Sequence, residues 1–307
     1  MIDRSALPML GRRRFCAGAA VALAVPAPVL AASVAPFVAQ LAAVERHSPA
    51  DLGAYVLDTG SGQGFGWRAD ERFAFCSAFK LSLAAMVFWL ARRRQLRLDE
   101  RIRYGAEAML DHAPITSQHL GEGMTLVDLA HAALVESDNP AANLLLHRVG
   151  GPAALTAFWR GLGDGVSRLD HIEPALNHVA RGALPDTTTP RAMAHTLARV
   201  LVGDVLSAPH REILLGWMAA VTSGARRIRA GLPADWWAGD KTGTGLPDTL
   251  PAYHVDLTIV RPTDRAPLII TGFTRSRAPL TAIDPASEAA LAEVGRIAAN
   301  WVMGADR

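Results

Sequence analysis

The feature that most constrains this chain is the near-continuous apolar run Leu81-Ser82-Leu83-Ala84-Ala85-Met86-Val87-Phe88-Trp89-Leu90, entered through Ser77 and Lys80. Such a run predicts a buried helix, because no polar face is left for solvent. Ser77 and Lys80 are three residues apart, so a helix there places both on one face about a turn apart, with the hydroxyl at its N-terminus. Buried polar groups need partners, and the rest of the chain must supply them. Of the 31 basic residues only Lys80 and Lys241 are lysine; the other 29 are arginine. A guanidinium stays charged under ordinary conditions, whereas a lysine amine can lose its proton when its surroundings favour that. Chance alone would give roughly 0.08 Ser-x-x-Lys matches in a chain with this many serines and lysines.

At 307 residues and 50% hydrophobic, the chain can bury a large core in one or two domains. Arg12-Arg13-Arg14-Phe15 precedes an alanine-rich apolar stretch from Cys16 to Ala32 that is broken by Pro26 and Pro28. A basic start, a short apolar segment and small residues near Ala31 predict a signal peptide over residues 1–31. Arg-Arg-x-Phe points to the twin-arginine route, and the two prolines argue against a membrane anchor. Without that segment the counts are 27 basic and 28 acidic residues, so no basic excess argues for nucleic acid or anionic lipid. Cys76 is then the one cysteine left, which excludes an intramolecular disulfide and reads as a small buried apolar residue.

Helical spacing runs from Val34 to Arg46 and breaks at His47-Ser48-Pro49; strands are predicted from Leu52 to Thr59 and from Gln63 to Trp67 across Gly60-Ser61-Gly62. From Arg72 to about Met218 the pattern is almost entirely helical, with main candidates Leu126–Leu134, Ala141–Val149, Pro152–Leu162 and Pro190–Val202. Strands return after Trp236, at Tyr253–Val260 and Pro267–Phe273, and a last helix runs from about Pro285 to Met303. The expected fold is α+β: an antiparallel sheet flanked by helices from residues 32–70 and 219–307, with an all-helical domain, 71–218, inserted. A site belongs in the cleft between them.

Three further stretches carry polar groups. Ser137-Asp138-Asn139 offers a hydroxyl, a carboxylate and an amide, although such tripeptides are common helix caps. Glu173-Pro174-Ala175-Leu176-Asn177 lies in a helix-poor stretch, where a glutamate is usually a solvated charge. Lys241-Thr242-Gly243-Thr244-Gly245 reads as the end of an apolar strand whose glycines let a ligand approach, or as an ordinary hairpin turn.

Ser-x-x-Lys, Ser-Asp-Asn and Lys-Thr-Gly in that order form the motif set of class A β-lactamases and penicillin-binding proteins. The chain resembles the class A serine β-lactamases over essentially all of its mature length, including Leu144-Leu145-Leu146, Gly150-Gly151-Pro152 and Ile228-Arg229-Ala230-Gly231-Leu232-Pro233. That resemblance implies a five-stranded sheet and a hydrolase of penicillins and cephalosporins that confers antibiotic resistance, working without a cofactor. It assigns Ser77 as nucleophile, with Lys80 or Glu173 (through water) as acylation base, and Ser137 as proton relay to the leaving nitrogen. Glu173 and Asn177 would activate the deacylating water. The backbone N–H groups of Ser77 and Thr244 would form the oxyanion hole. Asn139 would hold the substrate's amide side chain, and Lys241, Thr242, Gly243 and Thr244 would line its carboxylate.

The chain departs from the family pattern in places. No arginine follows Lys-Thr-Gly on its strand, and Arg227 resembles the alternative guanidinium for the carboxylate. His171 stands where an arginine commonly ties the Glu173 loop to the aspartate, here Asp186, which implies a looser, pH-sensitive loop. His112 at the pocket mouth and Thr244 resemble carbapenem-hydrolysing members, yet Gly245 stands where those pair a cysteine with the one before the serine; carbapenems stay an open substrate class. The histidines show no metal-ligand spacing, so no metal is expected. A periplasmic monomer acting on β-lactams is expected, with no nucleic-acid partner and no membrane in the mature form. The competing readings are a D,D-peptidase, which would not need Glu173 and Asn177, and a β-lactam sensor that stays acylated at Ser77.

Overall fold

The computed structural model describes residues 27–304; the expected signal peptide, 1–31, lies mostly outside them. The described chain opens with α1 (Ala27–His47), then β1 (Ala50–Asp58) and β2 (Gly64–Trp67), which pair antiparallel. A two-residue strand, β3 (Phe73–Ala74), leads through a 3-10 turn at Cys76–Ala78 into α2 (Phe79–Arg92). The ribbon β4 (Arg101–Ile102) and β5 (Met124–Thr125) precedes α3 (Leu126–Val135), α4 (Asn139–Val149) and α5 (Gly151–Gly161). β6 (Thr187–Thr188) pairs with β3, and α6 (Pro190–Leu201) and α7 (Ala208–Ala220) follow. β7 (Trp237–Gly245), β8 (Tyr253–Arg261), β9 (Leu268–Ser276) and α8 (Pro285–Gly304) complete it.

The five long strands make one antiparallel sheet in the order β2-β1-β9-β8-β7, so the two ends of the chain meet in its centre. β1, β8 and β9 are buried along nearly their whole length, because both faces of the sheet are covered. Leu52, Ala54, Val56, Leu268 and Ile270 pack with α1 and α8 through Leu41, Leu291, Val294 and Ile297. The alternate residues Tyr55, Leu57, Val255, Leu257, Ile269 and Phe273 face the helical block, in one continuous core with Phe79, Leu83, Val87 and Trp159. This alternation is the two-residue period of a strand divided between two cores.

The helices begin where capping chemistry places them. Thr125, Asp138, Thr189 and Ser207 accept bonds from Asp128, Ala141, Ala192 and His210 N–H groups at the starts of α3, α4, α6 and α7. Gly150, at φ 102°, separates α4 from α5 in a conformation that favours glycine.

One expectation is corrected. The stretch from Arg72 to Met218 is less helical than its pattern, because 93–125 and 162–189 run as turns, 3-10 pieces and two-residue strands. Gly105, Gly121, Gly123, Gly163, Gly165 and Gly182 fall in those stretches, and glycine weakens a helix. Lys241-Thr242-Gly243-Thr244-Gly245 forms the last five residues of β7, paired with β8 through Gly245, so the strand-end reading holds and the hairpin-turn reading fails.

Phe73 of β3 packs against the five-stranded sheet. It is fully buried, its ring centroid is 5.6 Å from that of Phe273, and the Arg275 guanidinium lies 5.1 Å from the ring. Phe73→Ala is expected to lower unfolding free energy by about 3–5 kcal/mol, read as a shift in the denaturant midpoint. An unchanged midpoint would show that the ring is not part of the folded core.

Candidate active site

Ser77 sits in the 3-10 turn Cys76–Ala78, just ahead of α2, and Lys80 lies in the helix's first turn. Cys76 adopts a positive φ of 45°, a conformation uncommon for a residue with a side chain. β7 presses against this turn. A Cβ on Gly243 would come within 2.5 Å of the Phe75 carbonyl oxygen and 2.9 Å of the Ala78 nitrogen, so glycine is what allows the approach. Cys76 is a free, buried thiol whose pKa burial pushes up, consistent with an inert packing residue.

Lys80 is fully buried, and its ammonium has three acceptors. Nζ donates to the Ser137 carbonyl at 2.7 Å and to Asn139 Oδ1 at 2.5 Å, and Glu173 Oε1 lies 3.1 Å away. Burial pushes the Lys80 pKa down, and the charges of Glu173 and Asp138 oppose it. Among the described residues, Ser77 Oγ hydrogen-bonds Glu173 Oε1, at 3.2 Å, and not Lys80.

Glu173 is 2% exposed, which overturns the bland reading of a solvated loop charge. Its Oε2 accepts from Asn177 Nδ2 at 2.7 Å. Its main chain is clamped by Asn143 of α4, whose Oδ1 accepts from Glu173 N at 3.0 Å and whose Nδ2 donates to Glu173 O at 2.9 Å. Asn143 was missed from sequence. The available signal was an amide within the apolar stretch Ala141–Leu146, where an asparagine that fills no cap needs a partner.

Of Ser137-Asp138-Asn139, the aspartate is the cap and the other two reach the cleft. Asp138 accepts from Ile115, Thr116 and Ala141 N–H groups and from the Thr116 hydroxyl, so its carboxylate is spent on structure. Ser137, at φ 58°, accepts at Oγ from Lys241 Nζ at 3.1 Å, while Asn139 Nδ2 donates to Asp111 O at 2.9 Å. Lys241 is fully buried and pushed down to about 7, first by burial and then by the Lys80 charge.

Ser77, His112, Ser137, Asn139, Glu173 and Asn177 line one cleft of about 460 Å³ with Thr222, Ser223, Thr242, Gly243, Thr244 and Ile283. His112 bonds at Nε2 to the Glu136 carbonyl, 2.8 Å away. Arg227 is neither a surface arginine nor part of the cleft lining. It is buried behind β7, donating to the carbonyls of Gly243 and Val255, to Thr244 Oγ1 at 2.7 Å and to Glu288. It reaches the cleft through Thr244. Among the described residues, no group of three or more His, Cys, Asp or Glu side chains is placed to hold a metal ion. A hydroxyl, a carboxylate and two ammonium-bearing side chains in a half-closed cleft suit acyl transfer followed by hydrolysis.

The loop carrying Glu173 is tied through Asp186, whose Oδ1 accepts from the Asp170 and His171 N–H groups and whose Oδ2 meets His171 Nδ1 at 2.6 Å. The hydrogen bond to Asp186, and then its charge, raise the His171 pKa. The ionic part of the tie is therefore complete below about pH 6.5 and is lost as pH rises through the raised value. The imidazole is 55% exposed, so solvent screens it, while the two N–H bonds persist at any of these pH values. Hydrogen-exchange protection of residues 170–186, corrected for intrinsic rate, should fall modestly as pH rises from 6 to 9 in the parent and stay flat in His171→Arg. Equal, flat profiles would remove the imidazole from the tie.

Comparison with known proteins bears on the same residues. The Beta-lactamase enzyme family matches residues 36–302. The chain is 43% identical to the carbapenem-hydrolyzing beta-lactamase KPC of Klebsiella oxytoca, over 84% of this chain and 86% of that one. It is also 43% identical to beta-lactamase L2 of Stenotrophomonas maltophilia, over 94% and 98%. Among solved structures, a class A β-lactamase of the last common ancestor of Gram-negative bacteria superposes with a TM-score of 0.81 at 47% identity, covering 89% of this chain and 100% of that one. Fold, motif order and relatives agree: the chain belongs to the class A serine β-lactamases and is a β-lactam hydrolase.

Proposed function

We propose that the protein hydrolyses penicillins and cephalosporins in the periplasm, as a monomer, through an acyl-enzyme on Ser77 that Glu173 releases. The observation that carries this reading is the buried Glu173 carboxylate, with one oxygen on the Ser77 hydroxyl and the other on Asn177. Ser77 Oγ attacks the lactam carbonyl carbon, a C–O bond forms and the strained C–N bond breaks. The nitrogen takes a proton through Ser137, which lies against the Lys241 amine. Backbone N–H groups of Ser77 and Thr244 hold the oxyanion; one such donor is worth about 10²–10³ in rate.

Glu173 is favoured over Lys80 as the base that takes the serine proton. A Lys80 amine facing three acceptors within 3.1 Å uses all three N–H donors of an ammonium. A neutral amine would point its lone pair at one of those oxygens. The Glu173 carboxyl first gives the serine proton up to solvent, from which Lys241 is reprotonated; water between the restored carboxylate and the ester then attacks, one proton passing through Glu173 to Ser77 Oγ as the ester C–O bond breaks, and the acid leaves with Ser77 restored. Asn177 Oδ1 is buried and without a hydrogen-bond partner among the described residues, which suits it to orient that water.

Lys241, Thr242 and Thr244 meet the substrate carboxylate, and Arg227 acts as a positioning residue through Thr244. The arrangement disfavours a peptidase or a sensor, since neither needs the buried Glu173–Asn177 pair. No helix among the described residues is long and apolar enough to cross a membrane and carry a signal. Carbapenems are the further class to assay, because a relative bears that activity in its name, although Cys76 faces Gly245 rather than a second cysteine.

Two outcomes test this. Glu173→Ala mixed with a chromogenic cephalosporin should lose steady turnover, with acylation and deacylation each slowed by about 10²–10⁴ and the acyl mass, once formed, retained on Ser77; sustained turnover would rule the role out. Because Lys241 is pushed down to about 7, its ammonium is present below that pH and lost above it, so KM should climb above neutrality. A KM that is level from pH 6 to 9 would remove Lys241 from carboxylate binding.

A further inference from the structure

Two aliphatic side chains that no motif accounts for line the cleft, Val135 at the end of α3 and Ile283. Ile283 is 44% exposed and lines the cleft from the segment between β9 and α8. A singly exposed isoleucine is ordinary. This one is set in a fixed position among hydroxyls, where the Ser223 and Thr242 side chains bond each other at 2.6 Å.

The position is fixed by its neighbour. The Asp284 carboxylate accepts from Ala286 N at 3.2 Å, Ser287 N at 3.0 Å and Ser287 Oγ at 2.7 Å, and so caps α8. The Asp284 N–H donates to Nε2 of His254 on β8, at 3.2 Å. His254 is buried, and its pKa is pushed down to about 4, first by burial and then by the Arg227 charge. Its ring nitrogen therefore remains an acceptor at any pH where the enzyme would work. Ile283 thus stands next to a residue tied both to the sheet and to a helix N-terminus. His112 lines the same cleft from the segment between α2 and α3, at φ 62° and bonded to Glu136 O.

We infer that Ile283 is a specificity-determining residue, an aliphatic part of the cleft wall that selects β-lactams bearing an uncharged, apolar substituent on the ring carbon beside the carboxylate. This rests on the substrate orientation proposed above. With the carboxylate at Lys241, Thr242 and Thr244, the substituent next to it enters the cleft that Ser223, bonded to Thr242, and Ile283 both line. An aliphatic surface there gains from covering an apolar group and cannot solvate a cationic one.

The test uses two cephalosporins with the same acyl side chain, one carrying an apolar thioether at that carbon and the other a pyridinium. The parent should favour the thioether. Ile283→Asp should reverse or narrow that ratio of kcat/KM by about tenfold, mainly through KM, and Ile283→Leu should preserve it. If the ratio is unchanged in Ile283→Asp, or if both substrates lose equally as a loosened loop would cause, the inference is wrong. Intact mass separates the two levels of the argument. A Ser77 acyl adduct with an unmoved ratio overturns the role of Ile283 alone, whereas a parent with no adduct overturns the mechanism beneath it.

Discussion

The site depends on one interaction, the buried ion pair between Lys80 and Glu173, 3.1 Å apart with side chains 0% and 1% exposed. Two charges out of water are costly unless each is paired and its remaining hydrogen-bonding capacity is filled. The fold meets that demand from three directions. α2 brings Lys80, the turn before α4 brings the Ser137 carbonyl and Asn139, and the loop ahead of α6 brings Glu173, held by Asn143 and Asn177. Ser77 is drawn into the network by its bond to Glu173, which gives the nucleophile an adjacent base.

The second ammonium follows from the first. Lys241 enters from β7, a strand that approaches the Ser77 turn because Gly243 has no side chain. Its proximity to Lys80 lowers its pKa beyond what burial does, leaving a cation that an incoming carboxylate would stabilise. Arg227 and Glu288 brace the same strand from behind, fully out of solvent. Lys80 and Lys241 are thereby carried on a packed helix and strand, while Ser137 and Glu173 come from connections that hydrogen bonds hold in place.

Much of this was legible in the sequence. The two lysines stood out against 29 arginines, and the order of Ser77-x-x-Lys80, Ser137-Asp138-Asn139 and Lys241-Thr242-Gly243 carried the family. The long strands and the helices α3 to α6 followed from period and capping residues. What was hidden was mostly tertiary. Burial, which dominates the Lys80 shift, has no local signature. Asn143 looks like any helix polar residue until the Glu173 loop is laid across it. Arg227 was read as a ligand-facing group, and only its bonds to β7, β8 and Glu288 of α8 show it turned inward. Ile283 carries no motif, and its importance comes from where His254 and Asp284 hold it.

With two lysines in the chain, 13C labelling at lysine Cε yields two signals, and their chemical shifts across a pH titration report each protonation state directly. The account predicts that Lys80 is an ammonium at pH 7 in the parent, that Lys241 titrates near about 7, and that Glu173→Gln lowers the Lys80 value. A neutral Lys80 amine at pH 7 with Glu173 in place would contradict it and transfer the acylation base to the lysine.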